Sequence, residues 1–323
     1  MGWKVLITAR SFGQGDPEPF RILTQAKCEV VKSPLDRPLT GEELGKLIGD
    51  ADAVIVGNDI VDASVIERGR ALKVISRYGV GTDNIDIAAA SMRGIYVTNT
   101  PGVNDHSVAD LAVGMMIALA RGIPKVCNWT RAGEWKRFFG SEVYGKVLGV
   151  IGVGRIGREV VRRVQGFDML TLCYDIKPDQ ELINKYQVEY LDLDEVLRKA
   201  DFVSIHVPLL PSTRKLIGKR ELGLMKPTAY LINLARGGIV DEDALYDALQ
   251  GGVIAGAAID VFEKEPPVNS PLIQLDDIIV TPHIGGYTVE SVKRMSTLAA
   301  ENVISVLRGE ACKYVVNPEA QRA

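Results

Sequence analysis

Arg236, Glu265 and His283 are of the types that move a proton beside a bound acid, and each lies just beyond a strand-like apolar run. Tyr230-Leu-Ile-Asn-Leu-Ala235 leads into Arg236. Ile254-Ala-Gly-Ala-Ala-Ile259 leads through Asp260 to Glu265, and Ile278-Ile-Val-Thr281 leads through Pro282 to His283. An arginine fork suits a carboxylate. A carboxylate on one ring nitrogen of an imidazole fixes its tautomer and stabilises imidazolium. The other nitrogen can then give a proton to a carbonyl oxygen or take one from an alcohol. Gly237-Gly238, directly after Arg236, reads as a backbone turn pressed against a ligand.

Elements must bring these residues together across 47 positions. Continuous apolar runs bounded by Gly and Pro read as parallel strands buried on both faces. In such sheets the carboxyl ends of the strands open onto one crevice. The whole chain fits that plan. Runs at 4–8, 53–56, 73–76 and 95–98 alternate with helical patterns at 40–50, 62–70 and 86–93. This predicts a parallel α/β unit. A helix is expected over 108–121, continuing to 132. A second unit opens at Gly145-Lys146, with strands expected at 147–151, 171–174, 202–206, 230–235, 256–261 and 278–280, and a short extended piece at 187–190. The amphipathic stretch 289–307 has no strand after it and is expected to return to the first unit. The expected domains are therefore 1–100 with 287–323, and 101–286.

Gly152-Val-Gly154-Arg-Ile-Gly157 follows the apolar run 147–151 and precedes a helical stretch, and Asp175 ends the next strand 18 positions after Gly157. Those glycines permit a tight turn, close backbone approach to a pyrophosphate and helix–strand packing. The helix amino terminus supplies N–H donors. Asp175 would accept from the ribose hydroxyls and repel a 2′-phosphate, which predicts NAD rather than NADP. This is a Rossmann-type doubly wound sheet. Asp260 then reads either as a partner of the nicotinamide carboxamide or as a turn cap. Gly79-Val-Gly81 begins like a second such motif but lacks its third glycine, and it reads as a turn whose amides could hold a substrate carboxylate.

Composition narrows the rest. Of the 323 residues, 46% are hydrophobic and 24% charged, with a net charge of −3, which gives no electrostatic case for nucleic acid. The longest apolar stretch, 111–120, is too short to span a bilayer. No signal or lipidation pattern is legible at the start. Cys28, Cys127, Cys173 and Cys312 form no CxxC pair, so reduced thiols and a cytoplasmic protein are expected. His and Cys spacing offers no metal site, and none is expected.

These segments resemble the D-isomer-specific 2-hydroxyacid dehydrogenases along nearly the whole chain. The matching pieces are Val150-Ile-Gly-Val-Gly-Arg-Ile-Gly157, His206-Val-Pro-Leu-Leu-Pro-Ser-Thr213, Met225-Lys-Pro227, Asn233-Leu-Ala-Arg-Gly-Gly-Ile-Val-Asp241, Asp260-Val-Phe-Glu-Lys-Glu-Pro266 and Thr281-Pro-His-Ile-Gly-Gly286. The resemblance implies Arg236, Glu265 and His283 as catalytic residues. It implies cofactor contacts at Gly152, Gly154, Arg155, Ile156, Gly157, Asp175, His206, Val207, Pro208, Thr213, Ala235, Asp260, Gly285 and Gly286. It implies substrate contacts at Arg77, Tyr78, Gly79, Val80 and Gly81, on a smaller flavodoxin-like domain built from both termini. It also implies a homodimer joined through an arm near 120–144. Arg77 before the glycine turn makes the likeness point to the 3-phosphoglycerate-oxidising members, where an arginine there holds phosphate. Gly57-Asn58 stands where those enzymes often carry a second arginine, and the chain stops at Ala323 without the regulatory extension of many members. Glyoxylate or hydroxypyruvate reduction is the alternative within the family, and an NAD(H)-sensing corepressor-like scaffold is the non-enzymatic one.

Overall fold

A computed structural model describes residues 2–322. In chain order its elements are β1 (Lys4–Ile7), α1 (Glu18–Gln25), β2 (Glu29–Lys32), α2 (Gly41–Leu47), β3 (Ala53–Val56), α3 (Ala63–Arg68), β4 (Val74–Arg77), α4 (Ile87–Met92), β5 (Tyr96–Thr98), α5 (Asp105–Arg121), α6 (Ile123–Arg131), β6 (Val147–Ile151), α7 (Arg155–Val164), β7 (Leu170–Tyr174), α8 (Gln180–Tyr186), β8 (Glu189–Tyr190), α9 (Leu193–Lys199), β9 (Phe202–Ile205), α10 (Lys219–Leu222), β10 (Tyr230–Asn233), α11 (Glu242–Gln250), β11 (Gly256–Ile259), β12 (Ile278–Val280) and α12 (Val289–Leu307), with short 3-10 turns between some of them. They form two compact units, Met1–Asn104 with Tyr287–Ala323, and Asp105–Gly286.

The first unit is a parallel sheet in the order β2-β1-β3-β4-β5, the flavodoxin-like arrangement. Alternation along each strand divides its core between two faces. Val5, Ile7, Ala53, Ile55 and Val74 pack with Leu23 of α1 and with Met295, Ala299, Val303 and Leu307 of α12. Leu6, Val54, Val56 and Ile75 pack with Leu44, Val65, Ile66 and Ala90 on the other face. Burying each large aliphatic side chain contributes roughly 1.5–3 kcal/mol, so the returning α12 is integral to this unit. Two elements, α1 and β2, are additional to the sequence expectation.

The second unit is a parallel sheet in the order β12-β11-β10-β9-β6-β7-β8. β6 and β9 lie side by side, with later strands running outward in both directions, so the sheet reverses its winding there as in dinucleotide-binding folds. Leu148, Val150, Phe202 and Ile232 face α5 and α7; Ile151, Val203, Leu231 and Ile259 face the other side. The helix expected over 108–132 is two helices. α5 ends at Arg121, Gly122 takes a left-handed φ of 55°, and α6 starts with Pro124 in its first turn, bent by 61°. No single helix among the described residues is long and apolar enough to cross a membrane.

Side-chain caps fix most helix starts. Asp62, Asp86, Asp192, Asp241 and Thr288 accept first-turn amides of α3, α4, α9, α11 and α12. The start of α7 differs, because its N-cap is Gly154 and no side chain caps it. Its first-turn amides are left to water or a ligand.

Candidate active site

β10, β11 and β12 are adjacent and parallel, with Asn233 paired to Ile259 and Ile259 to Val280. The loops that follow therefore leave the same edge at the same level. His283 Nδ1 lies 2.9 Å from Glu265 Oε2 and 3.1 Å from Oε1. Both side chains stay about a third open, at 29% and 31%. Burial favours the neutral form of Glu265 and is the largest single influence on it. The hydrogen bond and charge of His283, the Phe262 amide and the Arg236 charge together outweigh burial and hold the carboxyl below its ordinary value. Glu265 is thus an anion at neutral pH and His283 has a fixed partner. The structure brings Arg236, Glu265 and His283 into one neighbourhood.

Backbone ties explain how. Asn233, buried at 2% exposure, accepts the Ala235 amide and donates to the Arg236 carbonyl, 3.1 and 3.0 Å away, folding the chain back at the strand end. Arg236 Nη1 donates to the Ala235 carbonyl at 2.8 Å. Gly237 is pressed against the backbone of Phe262 and Glu263, not against a ligand: a Cβ there would collide with the Phe262 carbonyl and sit 2.5 Å from the Glu263 nitrogen. That contact sets the Arg236 loop beside the Glu265 loop.

His283 itself has a φ of 55°, uncommon for a side chain with a Cβ. Asp260 holds the turn. Its carboxylate, 1% exposed, accepts the Thr281 hydroxyl at 2.6 Å and the Ile284 and Gly285 amides at 2.8 Å each. These bonds cap the turn that carries His283. Gly285 packs on it, with room for only a 3.1 Å approach of a Cβ to Asp260 Oδ2, and Gly286 follows, partly open. Asn233 and Thr281 were not singled out in the sequence. Their signal was a polar residue at the end of an otherwise apolar run.

The fingerprint turn has the geometry a nucleotide needs. Gly152 has φ 90°, and a Cβ there would lie 2.7 Å from Val207 Cγ1 and 2.8 Å from the His206 carbonyl carbon. A Cβ on Gly157 would strike the Gly152 carbonyl, so helix and turn touch, whereas Gly154 faces open space. Asp175 Oδ2 accepts the Val153 amide at 2.7 Å and Oδ1 the Lys177 amide at 3.0 Å. Carboxylate oxygens have about four acceptor positions, so capacity for ribose hydroxyls remains. Arg155 is exposed and bonded to Asp105, and Ile156 is partly open. His206 bonds Ser204 through Nε2 at 2.8 Å, while its Nδ1 is buried with no protein partner; burial pushes its pKa down to about 4, so it is neutral near pH 7. Val207 and Pro208 follow it, and Thr213 closes their loop by donating to the Pro208 carbonyl at 2.6 Å. Ala235 is partly open. An uncapped helix start, an open glycine and an unsatisfied ring nitrogen fit a dinucleotide.

On the first unit the residues around the Gly79 turn are largely tied to one another. Arg77 is 6% exposed; it donates to the Gly81 carbonyl at 2.8 Å, to Asn58 Oδ1 at 3.0 Å and to the Tyr78 carbonyl. It braces the glycine turn from inside. Tyr78 is 7% exposed, its hydroxyl among Ser11, Val292 and Ser296, so its side chain belongs to the core. The Gly79 amide donates to Thr100 Oγ1 at 2.9 Å. The Val80 and Gly81 amides have no protein acceptor among the described residues.

A doubly wound nucleotide sheet with an imidazole–carboxylate pair and an arginine at its strand ends defines a nicotinamide-nucleotide oxidoreductase. The NAD binding domain of the D-isomer specific 2-hydroxyacid dehydrogenases matches residues 113–285. The chain is 49% identical over 283 residues, 86% of its length, to D-3-phosphoglycerate dehydrogenase of Methanocaldococcus jannaschii, and spans 54% of that protein. It is 46% identical over 314 residues to glyoxylate reductase of Thermofilum pendens, covering 94% of this chain and 92% of that one. The crystal structure of TT0316 protein from Thermus thermophilus shares 36% identity and superposes with a TM-score of 0.88 over 97% of this chain and 99% of that one. The chain belongs to the D-isomer specific 2-hydroxyacid dehydrogenase family, and its second unit is the NAD-binding domain.

Proposed function

We propose that this chain interconverts a small, unphosphorylated D-2-hydroxy acid and its 2-keto acid, with glyoxylate and hydroxypyruvate as keto acids. The observation that carries the reaction is the Glu265–His283 pair next to Arg236 in the NAD-binding domain. Bound NADH supplies the hydride. Arg236 clamps the carboxylate and the carbonyl oxygen. With Nδ1 turned to Glu265, His283 delivers the proton through Nε2 to that oxygen, and in the reverse direction takes it from the alcohol. Asp260 keeps the His283 turn in place.

The choice of acid rests on Arg77. A charge-assisted hydrogen bond to phosphate is worth roughly 1.5–3 kcal/mol, or about 10- to 150-fold in kcat/KM. A guanidinium engaged with Gly81, Tyr78 and Asn58 offers little of it. A phosphoglycerate couple is the second reading, favoured by the 49% identity to the Methanocaldococcus enzyme. Comparing kcat/KM for hydroxypyruvate and 3-phosphohydroxypyruvate in one NADH assay decides. Without a phosphate bond from Arg77, 3-phosphohydroxypyruvate should lose the advantage of about tenfold or more that one such bond confers over hydroxypyruvate. Arg77→Ala should slow both, since it removes the turn's brace. A clear preference for the phosphorylated acid, abolished by Arg77→Ala with hydroxypyruvate turnover intact, would restore the phosphate arm.

Asp175 makes NAD the preferred nucleotide over NADP, because an ionised carboxylate repels a 2′-phosphate. Asp175→Ala should narrow the NADH/NADPH ratio of kcat/KM by weakening NADH. Equal use of both by the unmodified chain contradicts this role.

The chain also pairs as a homodimer through the 120–144 arm. α6 buries none of its residues, and Trp135 and Phe139 beyond it are 89% and 101% exposed. Aromatic rings left open like this mark association surfaces. Sedimentation equilibrium should give twice the chain mass, and Trp135→Glu with Phe139→Glu should give monomer; a monomeric unmodified chain contradicts the assignment.

A further inference from the structure

We propose that Asp105 is a positioning residue for the nicotinamide nucleotide, acting through Arg155. The amino-terminal turns of α5 and the outer face of α7 are laced by three polar side-chain contacts. Arg155 Nε lies 2.7 Å from Asp105 Oδ2, His106 Nδ1 lies 2.9 Å from Glu159 Oε2, and Arg163 Nε lies 2.6 Å from Asp110 Oδ1. Positions 155, 159 and 163 are four apart and share one helix face. The first pair is unlike the others. The Asp105 side chain is 10% exposed while that of Arg155 is 68% exposed, so a fixed anion holds the base of a cation that reaches into solvent.

Arg155 is the first residue of α7, next to the uncapped Gly154 turn. Only its Nε is engaged; Nη1 and Nη2 have no protein acceptor among the described residues. That end pair is the fork that grips phosphate oxygens. A loose arginine gives up rotamer freedom when it binds an anion, and one already tethered gives up less. Asp105 therefore pre-organises the fork beside the turn. The inference rests on the 152–157 turn as the pyrophosphate site and is independent of which keto acid is used.

The test is equilibrium binding to the full chain, with NADH, ADP-ribose and adenosine as probes. Asp105→Ala should weaken NADH and ADP-ribose by about 3- to 10-fold and leave adenosine, which lacks the pyrophosphate, unchanged. Asp105→Asn, which keeps an oxygen for Nε, should recover most of the loss. In an Arg155→Ala background, Asp105→Ala should add nothing. Tighter NADH binding in Asp105→Ala would make Asp105 a competitor of the pyrophosphate and overturn the proposal. So would unchanged NADH binding, equal loss for adenosine, or additive losses in the double variant. An unmodified chain that binds adenosine no more weakly than ADP-ribose would overturn the pyrophosphate reading itself, and this proposal with it.

Discussion

His283→Ala should lower kcat for keto-acid reduction by about 10²–10⁴-fold, the span usual for a positioned general acid, while NADH binding stays near that of the unmodified chain. Glu265→Gln separates proton transfer from mere packing. Glu265 is held below the ordinary carboxylate value despite burial, by His283, the Phe262 amide and Arg236. A carboxylate lowered in this way is ionised above its ordinary value, and its interaction is lost only as pH falls through the lowered one. The pair therefore persists through the neutral range. Reduction takes a proton from the ring that this carboxylate orients. In Glu265→Gln kcat for reduction should fall while the NADH dissociation constant stays near that of the unmodified chain. An unchanged kcat would remove Glu265 from the proton-transfer role and leave it a structural contact.

The second large effect is expected at a residue with no chemistry of its own. Gly237→Ala places a methyl group where the Phe262 carbonyl lies and 2.5 Å from the Glu263 nitrogen. Backbone cannot yield as a side chain end can, so the Arg236 and Glu265 loops must part. A displacement of about 1 Å at a reacting group can cost about 10²-fold. We expect kcat/KM to fall by about that factor with the NADH dissociation constant nearly unchanged, because the fingerprint turn is formed by β6 and α7. Kinetics close to those of the unmodified chain would show that the loop contact does not position Arg236.

Much of this was legible in the sequence for a physical reason. Strands buried on both faces are continuous apolar runs, so β6, β9, β10 and β11 announce themselves, and parallel pairing then forces their polar successors to one edge. That is why Arg236, Glu265 and His283 could be grouped across 47 positions. β2 was illegible because it is an edge strand, Glu29–Lys32, with charged residues at both ends and none of its four side chains fully buried. The break at Gly122 was hidden because apolar residues continue across it, and only the left-handed glycine and Pro124 mark it.

Residue roles were less legible than residue positions. Asp260 and Arg77 are both polar groups at strand ends; the sequence left Asp260 open between a ligand contact and a turn cap, and only the family resemblance gave Arg77 to the substrate. In three dimensions the donors and acceptors of Asp260 and Arg77 are taken up by neighbouring turns, which a sequence cannot display. Asn233 is the same lesson reversed: an amide in an apolar run looked incidental, yet it folds the Arg236 loop.

The most direct test of the central claim is NADH oxidation with hydroxypyruvate, followed by chiral resolution of the glycerate formed, for the unmodified chain and for His283→Ala. The account predicts stoichiometric NADH oxidation, D-glycerate as the product, and loss of both in the variant. L-glycerate, NADH oxidation undiminished in His283→Ala, or no oxidation with any 2-keto acid would contradict it.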